Sequence, residues 1–134
     1  MRLIFLLFLT LPVSSQIAAA SDGNELLSQC SVILEAMDGN KTGNATSREA
    51  VDATRCMSFV SGVSQTSTLY EASGKMSKPS VCGPDQGITT SQAVRIAVKY
   101  LKEHPQDLHQ KASMLVMYSL MDAFPCGTVS KIGR

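Results

Sequence analysis

Tryptophan is absent from this 134-residue chain, and only three tyrosines and four phenylalanines stand in its place. A core without large aromatic anchors has to be built from Leu, Val, Ile, Ala and Met. So small a core is a marginal source of stability unless crosslinks reinforce it. An excess of charge is missing too, since twelve Lys and Arg face eleven Asp and Glu. That balance argues against a nucleic-acid or anionic-membrane ligand. Histidine is scarce: His104 and His109, either side of Pro105, are the only two. The chain has no G-x-S-x-G elbow, no C-x-x-C and no helical H-E-x-x-H. The nucleophile, base and orienting group that an enzyme needs are therefore not evident, and the chain reads as a non-enzyme without metal or cofactor. Gly74-Lys75-Met76-Ser77 has the look of a P-loop ending but lacks its upstream glycine and a preceding strand. No alternating strand pattern of useful length is found, which leaves an all-α chain.

The one strongly apolar stretch is at the start. Arg2 precedes about eleven mostly apolar residues ending near Val13, and Ala18-Ala19-Ala20 follows. A single positive charge, a short apolar run and an A-x-A site make a cleavable secretion signal over residues 1–20. The run is too short for a membrane span, which needs roughly twenty residues. The mature protein is expected to begin at Ser21 as one soluble domain over residues 21–134. Setting Arg2 aside leaves eleven basic and eleven acidic residues, a net charge of zero.

Helical spacing divides that domain into four segments. The first covers about Asn24 to Met37, with Leu26, Leu27, Cys30, Ile33 and Leu34 on one stripe, Asp22 as N-cap and Asp38-Gly39-Asn40 as stop. The second covers about Arg48 to Ala72, with Thr46 or Ser47 as cap. Its expected inner face is Val51, Cys56, Phe59, Val60, Val63 and Leu69, and Gly62 inside it reads as a place where another backbone packs close. The third opens on the capping box Thr89-Thr90-Ser91-Gln92, carries Val94, Ala97, Val98 and Leu101 at helical spacing, and stops at Pro105. The fourth is expected to begin near Pro105, a favourable first-turn residue, and to bury Leu108, Ala112, Leu115, Val116, Ser119, Leu120 and Ala123. Met57, Met114, Met117 and Met121 read first as core filler, and second as an adaptable contact face on the fourth helix. Ser73 to Asp85 reads as an irregular connection, and Thr128 to Arg134 as a loose tail.

Cys30, Cys56, Cys82 and Cys126 are the only cysteines. Each is separated from the next by about twenty-five residues or more, unlike the close pairs that aim two thiolates at one zinc ion. An even number in an exported chain implies two disulfides. Three connectivities are open. The favoured one, Cys30–Cys56 with Cys82–Cys126, staples the first helix to the second and the connection to the end of the fourth.

The residues around these cysteines carry a resemblance. Cys82-Gly83-Pro84, Gly87-Ile88-Thr89 to Gln92, Lys99-Tyr100-Leu101 to His104-Pro105, Ala112 to Leu115-Val116 and Phe124-Pro125-Cys126 follow one another in order. With Cys56-Met57-Ser58-Phe59-Val60-Ser61-Gly62 upstream and Cys30 before it, this pattern resembles the Rap/Tai immunity proteins of bacterial type VI secretion. The resemblance implies a small bundle of about four helices with two disulfides, located in the periplasm and commonly a homodimer. It implies that the protein binds a peptidoglycan amidase effector and obstructs its catalytic cleft. The alternative is a periplasmic helical binding module of the same fold with another partner. Partner-binding candidates lie on two segments: Ser73, Lys75, Ser77 and Lys78 after the second helix, and His104, Gln106 and His109 between the third and fourth.

Overall fold

The computed structural model describes residues 20–40, 43–74 and 81–126, and it is a bundle of four α-helices. In chain order these are α1 (Gly23–Met37), α2 (Ser47–Ala72), α3 (Thr90–Glu103) and α4 (Ala112–Ala123), with a 3₁₀ turn at Pro105–Asp107. Helix α1 packs mainly on α2, α3 packs on α4, and α2 joins the two pairs by lying against α3. Among the described residues no helix is long and apolar enough to cross a membrane. Most of the expected leader lies outside the described residues; Ala20, its last residue, is buried.

Each of the first three helices starts at a side chain that takes an orphan backbone donor. The Asp22 carboxylate accepts the Glu25 N–H at 3.0 Å. Glu25 does not return the bond to its cap. One of its oxygens accepts from both the Ser21 backbone N–H and the Ser21 hydroxyl, and the other accepts from the Gln29 amide. Thr46 and Glu49 form a reciprocal box at α2: Glu49 accepts the Thr46 N–H at 2.7 Å and donates its own N–H to the Thr46 hydroxyl at 3.3 Å. Thr89 and Gln92 do the same at α3, with bonds of 2.8 and 3.2 Å.

The core contains Leu26 and Cys30 from α1, Cys56 and Val60 from α2, Val94, Val98 and Leu101 from α3, and Leu115, Val116 and Leu120 from α4. Each of these is 1% exposed or less. Burying a Val or Leu side chain of this kind contributes about 1.5–3 kcal/mol. The stripe expected for α3 is buried throughout.

Two expectations for α2 are corrected. Val51 and Leu69, placed on its inner face by spacing, are 47% and 71% exposed. The reason is length. At 1.5 Å per residue, the 26 residues of α2 run about 39 Å, against about 22 Å for the 15 residues of α1, so α2 overhangs its neighbours at both ends. Gly62 is likewise not a close approach, since nothing lies within 4 Å of where its Cβ would be. The close approach is at Gly23, where a Cβ would come 2.5 Å from Leu115 Cδ1 and 3.0 Å from the Leu108 backbone.

The start of α4 is also corrected. The helix opens at Ala112, seven residues after Pro105. The intervening backbone is taken by the chain at the start of α1. Leu108 O accepts the Asn24 N–H at 3.2 Å, Gln110 O accepts the Gly23 N–H at 3.1 Å, and the Ala112 N–H donates to Ser21 O at 3.3 Å. Asp22 and Lys111 form an isolated antiparallel bridge. A chain held in this extended pairing cannot also run as a helix, because the same carbonyls serve both. As a result Leu108 precedes α4 instead of lining it, and Ala123 at its far end is exposed.

Candidate partner-binding surface

Two disulfides shape what the bundle can present. Cys30–Cys56 joins α1 to α2 inside the core, and both cysteines have 0% exposure. Cys82–Cys126 joins the segment before α3 to the segment after α4. The Cys82 N–H donates to Phe124 O at 2.9 Å, so a hydrogen bond doubles the covalent tie. Cys82 itself is exposed and Cys126 half-buried. With all four sulfurs in disulfides, none is a thiolate nucleophile or metal ligand. Among the described residues no cluster of His, Cys, Asp and Glu is arranged to hold a metal ion.

The junction between α3 and α4 carries three of the expected contact residues. His104 ends α3, and its Nδ1 lies 2.9 Å from Tyr100 O. Its ring stacks on the Tyr100 ring at a centroid distance of 4.0 Å and an angle of 20°. A half-buried ring held this way serves the helix end, so His104 offers only part of its surface to a partner. Gln106 and His109 are exposed on the same junction. The hydrogen bonds from Gly23 and Asn24 hold this segment, and the Asn24 side-chain amide adds another to Leu108 O at 3.2 Å. A loop ordered before binding loses less entropy on complex formation. Beneath it, burial raises the Tyr100 phenol above its ordinary range, and the negative charges of Asp107 and Asp122 add to the effect.

The second expected segment follows α2. Ser73 is exposed and its N–H donates to Leu69 O at 3.0 Å, closing the helix. Lys75, Ser77 and Lys78 lie outside the described residues. The structure thus brings His104, Gln106 and His109 together on one ordered junction and places Ser73 on a different element.

A separate cleft of about 270 Å³ lies between α2, the segment before α3 and the end of α4. Val81, Ile88, Leu120 and Phe124 supply its apolar lining, and Ser64, Ser67, Thr68 and Asp85 its polar groups. Gly87 borders it with φ of 74°, a left-handed conformation that glycine adopts without a Cβ clash, and its N–H closes a turn onto Pro84 O at 2.8 Å.

One surface runs against the first reading of its residues. Met114 and Met121, read as core filler, are 43% and 40% exposed, and Tyr118 between them is 38% exposed. Met57 on α2 is 37% exposed. The signal for the α4 surface was present in its composition. Asp122 is the only charged residue of α4, so the helix is apolar nearly all round, although only one side of it meets the core.

A family model described as Rap1a immunity proteins matches residues 22–126, the stretch that runs from the N-cap of α1 to the last cysteine. No curated protein and no solved structure matches the chain.

Proposed function

Because the chain belongs to the Rap1a immunity-protein family, we propose that it is a periplasmic immunity protein of type VI secretion that binds a peptidoglycan amidase effector and blocks its cleft. The observation that carries this reading is the extent of the family match, which includes all four helices and both disulfides. The protein contributes no chemistry of its own. It acts as a rigid body that covers the effector's active site and keeps wall peptides out. The secretion signal over residues 1–20 delivers it to the compartment where such an amidase acts, and the two disulfides suit that oxidising compartment. The mature protein begins at Ser21 and works as a homodimer.

Contacts to the effector come from the ordered junction, through His104, Gln106 and His109, and from the connection after α2, through Ser73, Lys75, Ser77 and Lys78. A few residues carry most of the energy in such interfaces. The junction is favoured as the central part because its backbone is already held by α1.

The test uses the mature oxidised protein and a purified peptidoglycan amidase effector encoded beside it. Stable complex formation and loss of wall-peptide release at stoichiometric inhibitor are the expected results, together with survival of cells carrying the effector in the periplasm. Absence of both complex and protection defeats the reading for that effector. A complex with a periplasmic protein that has no amidase activity supports the helical binding module with another partner instead.

A further inference from the structure

The outward faces of α3 and α4 differ, although the two helices pack side by side. On α3 the exposed positions are Gln92, Arg95, Lys99 and Lys102, with Glu103 at the end, all polar or charged. That is the face of a helix whose outer side stays in water. On α4 the outer positions include Met114, Tyr118 and Met121, each about two-fifths exposed, with Met117 half-buried beside them. At 100° per residue these four fall on one side of the helix, opposite Ala112, Leu115, Val116 and Ser119. A continuous apolar stripe on an otherwise folded surface marks a contact.

The charges at its ends identify what covers it. Lys111 stands at the N-cap of α4 and Asp122 in its last turn. They are eleven residues apart, close to three full turns, and therefore lie on the same flank of the stripe, about 16 Å apart along the axis. Both are exposed. Among the described residues the ion pairs are Arg48–Asp52, Arg55–Asp52, Arg95–Asp38 and Lys99–Glu103, and neither Lys111 nor Asp122 takes part in one. A surface with an apolar middle and opposite charges at its two ends is complementary to itself when turned end for end.

We propose that the outer face of α4 is where two copies of this chain pair, antiparallel about a twofold axis. The proposal rests on the paired form put forward above and goes beyond it by assigning the face. A twofold axis perpendicular to the helices keeps each flank on its own side and exchanges the ends. Met114 of one copy then meets Met121 of the other, Met117 and Tyr118 each meet their own counterpart across the axis, and Lys111 meets Asp122, twice over. The flexible thioethers fill the gap between the two backbones. The junction that carries Gln106 and His109 precedes α4, so pairing through this face sets one junction at each end of the dimer.

Sedimentation of the mature oxidised protein measures the pairing directly. Lys111→Glu sets a second carboxylate against Asp122 of the other copy, and Asp122→Lys sets two ammonium groups together. Each raises the dimer dissociation constant by roughly tenfold or more, because like charges meet at both ends of the interface. An equimolar mixture of the two variants restores the wild-type constant, since each mixed pair then holds opposite charges. Tyr118→Glu, at the centre, abolishes the dimer while the circular dichroism stays that of the wild type. A wild-type protein that is monomeric at every concentration removes the pairing itself. A wild-type dimer unmoved by all three substitutions keeps the pairing and overturns its assignment to α4.

Discussion

Cys30 and Cys56 lose all their surface to the core, whereas Cys82 stands exposed at the head of a connection that belongs to no helix. Chain entropy alone ranks these crosslinks the other way. The Cys82–Cys126 bridge closes 44 residues and restricts the unfolded chain by about 4 kcal/mol, against about 3.5 kcal/mol for the 26 residues of Cys30–Cys56. Packing reverses the order. The inner bridge is itself part of the core, in contact with the elements that bury Leu26 and Val60, and its removal leaves a void as well as a freer unfolded chain. The outer bridge lies at the surface, with Cys82 exposed and Cys126 half-buried. The lesson is that one crosslink holds the fold and the other holds a surface segment in place on it.

The sharpest way to break that contrast is to remove each bridge in turn. Cys30→Ala with Cys56→Ala is expected to cost about 5 kcal/mol, the loop term plus the cavity term. That is a large share of the net stability of a domain this size, and urea unfolding should show a nearly unfolded chain. Cys82→Ala with Cys126→Ala is expected to cost no more than about 4 kcal/mol, with helical circular dichroism retained in the absence of urea. Equal losses of helix in the two variants would erase the distinction.

Two glycines extend the comparison to smaller effects. Gly23→Ala drives a methyl group into Leu115 and the Leu108 backbone, where α1 meets the junction. It should destabilise by about 1–3 kcal/mol in the same unfolding assay, as overpacking does. Under the proposed contact through the junction, it should also weaken effector inhibition more than its stability loss explains, because the junction shifts. Gly62→Ala is the reverse case. The site is exposed on α2 with open space around it, so the change should stabilise by about 0.5–1 kcal/mol. A loss there would mean that α2 meets something at that point.

Where the sequence reading succeeds, the cause is local. Asp22, Thr46 and Thr89 sit at their helix starts because each needs only a backbone N–H three residues on. The α3 stripe is legible because a short helix against a core has one inner side. The misses are long-range. The start of α4 is displaced by hydrogen bonds between Gly23 or Asn24 and residues more than eighty positions away, which no periodicity registers. Val51 and Leu69 are exposed because α2 outruns its neighbours, a fact about the neighbours' lengths. The junction residues were legible as a turn around Pro105. That His104 stacks on Tyr100 while Gln106 and His109 stay open depends on geometry that the motif does not carry. The apolar outer face of α4 was visible in its composition, but apolar residues on a helix are ordinarily inside, and the side they face is decided by packing.

Limited reduction of the native protein tests the division of labour most directly. The oxidised protein is titrated with a dithiol reductant without denaturant, the free thiols are alkylated, and the labelled cysteines are mapped by mass spectrometry while circular dichroism follows the helices. Cys82 and Cys126 are expected to be labelled first, with the helical signal unchanged, and Cys30 and Cys56 only as the bundle unfolds. Labelling of Cys30 and Cys56 at the same reductant concentration as Cys82 and Cys126, with the helices intact, would contradict that division of labour.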